Sequence, residues 1–315
     1  MVSLRPFLFA LAIPVSLVAC GGGGGDGIDP PTGPHSTSVA KTVLVPTNNN
    51  QARDFGLDLN DDKTVDNQLG MVLGTLAGQG FEIQKGIDEA VSSGSIILIV
   101  DFQAPNFDST TAAGLQIKLG DMPMPAACTD PADLTTCGKH LDGSGSFAIA
   151  AGSPDNAAIG GKIAGGVFTG GPGDLSLQIV LGGAAPIQLD LIGARAKGTG
   201  ITATGFSELI LAGALTQDNL DTKVIPAVHA QLGPLITRDC PTGMAPPDPC
   251  GCAANSTGKT IIGLFDTNPK DCMVTIEEIK TNSLIQSLLA PDVTIDGMQA
   301  LSVGIKVTTT GATVR

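Results

Sequence analysis

The sequence predicts an α+β fold: an antiparallel β-sheet meander or sandwich, flanked by helices and stapled by disulfides. Three observations carry that reading. Between residues 95 and 216, apolar side chains recur at every second position, in short runs separated by the turn clusters GSPDN, GGPG, GGAAP and KGTG. On either side of this region the apolar spacing lengthens to the rhythm of amphipathic helices. Seven cysteines punctuate the chain, six of them in two groups from Cys128 onward.

Composition narrows the possibilities. The 315 residues include 42 Gly and 10 Phe but no Trp and no Tyr, so the core must be built from Val, Ile, Leu and Ala, with many turns made by Gly. Net charge is −13, with 17 basic residues against 30 acidic ones. Such a surface repels phosphate backbones, which argues against nucleic acid as a partner. It keeps an exported protein soluble, and divalent cations are its natural counter-ions.

The chain opens MVSLRPFLFALAIPVSLVAC, one Arg followed by an apolar run too short to span a bilayer and typical of an export signal. The ending Leu17-Val18-Ala19-Cys20 resembles the lipobox of bacterial lipoproteins, whose cysteine becomes the acylated N-terminus. The resemblance covers these 20 residues. It implies a signal peptide over 1–19, lipidation at Cys20 and a membrane partner through the anchor; several buried CH₂ groups, each worth about 0.8 kcal/mol, make such an anchor durable. Gly rather than Asp at position 21 implies the outer membrane of a bacterial cell envelope. Residues 20–38, rich in Gly and Pro, read as a tether. Residues 39–315 then form a single α+β domain, with its β centre at 95–216 and a Cys-rich part at 240–315.

Within that domain, Lys41 to Pro46 reads as a first strand. The acidic stretch DLNDDKTVD follows, with oxygen-bearing side chains at every second residue: Asp58, Asn60, Asp62, Thr64 and Asp66. This is the alternation with which a loop wraps one hard cation, and it resembles an EF-hand or dockerin-type calcium loop leading into a helix. The resemblance departs at Lys63 and Asp61, where such loops have Gly, and at Leu69, where the closing Glu belongs. Lys63 costs about 1 kcal/mol if its φ must be positive.

Two helices are predicted next, over about 67–77 and over FEIQKGIDEAVSS, the second placing Ile83, Ile87, Ala90 and Val91 on one face. SIILIVDF reads as a buried strand. Alternating runs centred on Leu115–Leu119, Phe147–Ile149, Leu175–Leu181, Ile187–Leu191 and Glu208–Leu215 complete the β region. Asp218 is placed as the N-cap of a helix that Pro226 should kink, with His229 beside its apolar stripe as a packing residue.

A second polar cluster, DTNPKDCMVTIEE, aligns with the same kind of loop if one residue is inserted. Asp266, Asn268, Asp271, Thr275 and Glu278 become candidate ligands for Ca²⁺, although Pro269-Lys270 and Cys272 interrupt the pattern. A helix over 276–289 and a strand over 301–314 close the chain.

With Cys20 assigned to lipid, six cysteines remain, an even number suited to an oxidising compartment. Cys128 and Cys137 are expected to pair across a local loop. Cys240, Cys250, Cys252 and Cys272 form a second group in which Cys250 and Cys252, too close to bridge each other, each reach Cys240 or Cys272. A four-thiolate zinc site is the rival, and its spacing is wrong for a C-x2-C knuckle.

Enzymatic signals are poor. NSTGKT echoes the end of a phosphate-binding loop but has Ala253 where Gly is required. No G-x-S-x-G or H-E-x-x-H occurs, and there are three His in all. The expectation is a lipid-anchored envelope protein with calcium-stabilised loops and a structural or binding role toward an envelope protein or surface polymer. The alternatives are a hydrolase working through loop carboxylates and a carrier of a hydrophobic ligand.

Overall fold

The computed structural model describes residues 27–78, 82–179, 186–241 and 250–315. The predicted signal peptide and Cys20 lie outside the described residues.

The alternating runs do form antiparallel strands, but the sheet does not stay open. In chain order the elements are β1 (His35–Leu44), α1 (Asn49–Asp54), α2 (Gln68–Gly78), α3 (Ile83–Ser92), β2 (Leu98–Gln103), β3 (Ser109–Met124), β4 (Gly145–Ile149), β5 (Ile159–Ala164), β6 (Val167–Ile179), β7 (Ile187–Thr199) and β8 (Glu208–Thr216). They continue as α4 (Gln217–Asn219), α5 (Ile225–Asp239), α6 (Thr257–Phe265), α7 (Ile276–Thr281), α8 (Ser283–Leu288), β9 (Val293–Ile295) and β10 (Met298–Val314). Eight strands pair in the ring β1-β2-β3-β5-β6-β7-β8-β10, and β10 returns to β1, each pair antiparallel. The fold is a closed antiparallel β-barrel, which corrects the predicted α+β sheet flanked by helices.

Two physical reasons favour closure. An open meander would leave β1 and the 17-residue β10 as long edges with unpaired backbone groups, and closure pairs them with each other. The strands also carry the irregularities that bending needs, with register shifts between Ala40 and Thr42, Thr110 and Ala113, Gly170 and Gly173, and Ile192 and Arg195.

The inward face is a packed core. Leu98, Val100, Phe102, Leu115, Phe168, Leu211 and Leu301 are all buried, as expected for a barrel whose eight strands leave just enough width for side chains. At one end the Phe102 ring meets Phe168 and Phe206 edge-on, at centroid distances of 5.1 and 4.9 Å. Inward-facing glycines make room for them: a Cβ on Gly198 would stand 2.5 Å from the Phe206 ring, and one on Gly161 would stand 2.6 Å from Phe168. The outward face carries Asp101, Lys118, Lys162, Asp190, Lys197 and Lys306, opposite in polarity to the apolar band of a membrane-spanning barrel. Among the described residues no helix is long and apolar enough to cross a membrane.

The remaining elements pack on the outside. The end of β3 and the end of β10 are joined by β4, antiparallel to one and parallel to the other. Helix α2 lies on β10 with α1 packed against it, while α5 to α8 gather around Ile225, Leu232, Ile261, Phe265 and Ile279 in a lobe of their own.

Several local expectations shift. Residues 35–38, placed in the tether, are the start of β1, and the chain is already tied by Asp29 N–H to the Thr111 carbonyl at 2.8 Å. Thr216 rather than Asp218 caps α4, accepting the Asn219 N–H. Pro226 does not break the helix, because it falls in the first turn of α5, where its missing N–H is not needed; a π-helical turn over Leu220–Val224 leads into it. The helix predicted over 276–289 is two helices, divided at Asn282, which leaves the helical conformation (ψ 123°) and caps α8 with its side chain. The Gly-rich strand β5 was not anticipated.

All three bridges respect the predicted groupings: Cys128–Cys137, Cys240–Cys252 and Cys250–Cys272. The zinc alternative is thereby removed for these four cysteines, since disulfide sulfurs are not thiolate ligands.

Candidate metal centre

The acidic loop hangs between α1 and α2 on the outer side of β10. An antiparallel bridge between Leu57 and Asp66 closes its neck, with the Asp66 N–H donating to the Leu57 carbonyl at 3.0 Å. Inside the neck, side-chain oxygens fold back on the loop's own backbone. Asp58 Oδ2 accepts the Lys63 N–H at 2.8 Å, Asn60 Oδ1 the Asp62 N–H at 3.2 Å, and Asp62 Oδ1 the Thr64 N–H at 2.7 Å. Asp66 Oδ2 accepts the Leu59 N–H at 2.7 Å. Asp61 and Lys63, the two positions where calcium loops favour Gly, adopt φ of 63° and 72°. The left-handed turn thus forms without glycine, at about 1–2 kcal/mol per residue.

These carboxylates differ in surroundings. Asp61 turns away from the loop centre and grips Arg195 of β7 with both oxygens, at 2.8 and 2.7 Å. That hydrogen bond, with the guanidinium charge, holds its pKa below the usual value. Asp62 is also lowered, by the Thr64 N–H and then the Thr64 hydroxyl. Asp66 is buried, and burial pushes its pKa up; the charges of Asp62, Asp292 and Asp58 add to the rise, against the Leu59 N–H that lowers it. One oxygen of Asp58, Oδ1, is shielded from solvent and has no hydrogen-bond partner.

Asp292 is the participant that sequence reasoning missed. It lies just before β9 and is held by the Ser302 N–H (2.7 Å) and hydroxyl (2.5 Å). The same hydroxyl receives the N–H of Gln68, the first residue of α2. Nothing in the local pattern around Asp292 signals this, because β10 alone brings it to the loop. Leu69, at the position of the missing Glu, is buried in the core.

The second loop is wired differently. Asp266 accepts the N–H groups of Asp271 (3.1 Å) and Cys272 (2.8 Å), with Cys272 at φ 67°. Asp271 accepts the Met273 N–H. Glu278, the candidate bidentate ligand, accepts the N–H groups of Thr267, Asn268 and Thr275 and the Thr275 hydroxyl. Burial would raise its pKa, but these donors outweigh burial and hold it below the usual value. Thr275 and Glu278 together make the capping box of α7, each holding the other's backbone N–H. The structure therefore gives both residues a helix-capping role and leaves the Glu278 oxygens already occupied. Among the described residues, Asn268 joins this loop through its backbone N–H to Glu278, and no side-chain hydrogen bond places it with Asp266.

Among the described residues, Cys250, Asp266 and Cys272 bring potential ligand atoms within 4.8 Å of one another. Two of those atoms are the sulfurs of one disulfide. The first-loop carboxylates are not drawn into so tight a group.

Other singled-out residues have structural employment. His229 Nε2 bonds the Val274 carbonyl at 2.8 Å, and His35 Nδ1 bonds Asp101 at 2.8 Å. In NSTGKT, Ser256 caps α6, and the Gly258 N–H is taken by Asp239, so the helix start is already filled by a carboxylate. Compared with protein families, curated proteins and solved structures, the chain matches none.

Proposed function

We propose that this chain is a lipid-anchored protein of the bacterial cell envelope, joined to the outer membrane through Cys20. Its Asp58–Asp66 loop binds Ca²⁺, and its role is structural or binding rather than catalytic. The observation that carries the calcium reading is the loop's winding. Asp58, Asn60 and Asp62 pin a turn in which Asp61 and Lys63 hold positive φ, while Asp58 keeps a shielded oxygen without a donor. Asp292 supplies the negative charge that the absent closing Glu would bring. A cation among Asp58, Asp62, Asp66 and Asp292 relieves the mutual repulsion that adds to the rise at Asp66.

The test is thermal unfolding of the mature chain from residue 20, carrying Cys20→Ser, in EDTA and in millimolar Ca²⁺. Calcium at a hundred times its Kd should stabilise by about 2.7 kcal/mol. An unchanged midpoint would remove the calcium reading. Mass spectrometry of the native N-terminus, with loss of membrane association on Cys20→Ser, tests the anchor separately.

A further inference from the structure

We propose that the outer barrel wall beside the acidic loop binds the phosphate monoester of a small polyol or sugar phosphate, held by Lys162 and Lys197. Lys162 on β5, Thr169 on β6 and Lys197 on β7 stand directly opposite one another across three adjacent strands. Their chain neighbours Ile163, Phe168 and Gly198 face the core, so these three side chains face outward, and all three are exposed. Two strand spacings of about 4.8 Å put the lysine backbones about 10 Å apart, within reach of one anion for two flexible four-carbon stems.

The three residues line a cleft of about 420 Å³ together with Gly170, Arg195 and Asp58. That volume lies in the lower part of the range for small-ligand sites, roughly 300–1,000 Å³. The chain has 30 acidic residues to 17 basic ones, yet among the described residues neither Lys162 nor Lys197 has a carboxylate partner. Lys118, Lys223, Lys280 and Lys306 do, while Lys41, Lys63, Lys139 and Lys270 share the lack of a partner but have no second lysine opposite them in the sheet. Two flexible ammonium groups on one wall can close on a single anion between them.

The donor set selects the anion. Arg suits the planar, two-point recognition of a carboxylate, but Arg195 already gives its fork to Asp61. What remains is two ammonium point charges and a hydroxyl, which match the charge of roughly −2 on a phosphate monoester.

This inference goes beyond the calcium reading and does not depend on it, because the lysines belong to the barrel wall. The probe is glycerol 3-phosphate, titrated calorimetrically into the Cys20→Ser mature chain in EDTA at low salt. Expected are saturable binding that strengthens as pH rises through the second phosphate ionisation, near 6, and a loss of about tenfold or more in Lys162→Gln/Lys197→Gln. Lys85→Gln serves as the control and should bind as the parent does. Both target lysines are exposed, and an unchanged thermal midpoint establishes that the double variant is folded; should it unfold, each single variant is measured instead. A second arm uses phosphatidylcholine vesicles with and without phosphatidic acid: binding there alone, lost in the same variants, would place the monoester on a lipid. No binding in either arm, or equal binding by the variants, overturns the proposal.

Discussion

The side-chain amide of Asn67 pairs with the backbone of Gly304 as a neighbouring strand would: Gly304 N–H donates to Asn67 Oδ1 at 2.8 Å, and Asn67 Nδ2 donates to the Gly304 carbonyl at 3.2 Å. Oδ1 also accepts the Gly70 N–H, and Nδ2 also donates to the Ala52 carbonyl. One buried amide thus ties α1, the start of α2 and β10 together, directly behind the acidic loop. Gly is needed opposite it, since a Cβ on Gly304 would meet the Phe55 carbonyl oxygen at 2.2 Å.

Asn67→Ala should therefore destabilise by about 2–4 kcal/mol, because it strands several buried backbone groups at once. Gly304→Ala should cost a similar amount by pushing Phe55 away. Urea unfolding of the two single variants and the double variant is expected to show strong non-additivity, as for residues sharing one contact.

Asp66 links stability to pH and, on the proposed calcium reading, to calcium as well. Its folded pKa is raised, so the folded state holds the proton more tightly than the unfolded chain. Without metal, stability should then fall as pH rises from about 3.8 through the folded value. Asp66→Asn removes that penalty while leaving an acceptor for the Leu59 N–H. The variant is expected to be more stable than the parent at pH 7 in EDTA and to gain less from calcium, a crossover readable in thermal midpoints.

His140 titrates in the other direction. Its ring is fully buried against Phe147, and among the described residues neither nitrogen has a hydrogen bond of good geometry. Burial lowers its pKa, and the nearby Val91 carbonyl offsets this only in part. The unfolded chain therefore binds the proton first, and stability should drop as pH falls below about 6.5. His140→Phe should flatten the slope between pH 5 and 6.5 in urea midpoints. A slope unchanged by the substitution would remove His140 as its source.

The glycines of the barrel interior are spaces reserved for aromatic rings. Gly198→Ala should destabilise by about 1–3 kcal/mol through overpacking against Phe206. Phe206→Leu in the same chain should recover part of the loss, measured as a double-mutant cycle by denaturant unfolding.

Much of what rests on neighbours in the chain was legible from residue order alone. The alternation of Leu115, Ile117 and Leu119, the Ile87–Ala90–Val91 helix face and the local Cys128–Cys137 bridge each depend on a short stretch whose period states its own geometry. The winding of Asp58–Asp66 is also local, because its oxygens bind backbone groups within a few residues. Strand β5 escaped notice because IGGKIA carries too few side chains to display a period.

Closure of the ring was decided elsewhere. Thr42 and Thr308 share a hydrogen bond across 266 residues, and no local pattern encodes which distant edge a strand will meet. The same holds for Asp292 beside Asp66, for Arg195 on Asp61, and for the two lysines that flank Thr169. Periodicity tells a strand which face is dry; the accumulated bending of eight strands and the demand of two long edges for partners settle where it ends up. Those are sums over the whole chain, and only the folded molecule carries them out.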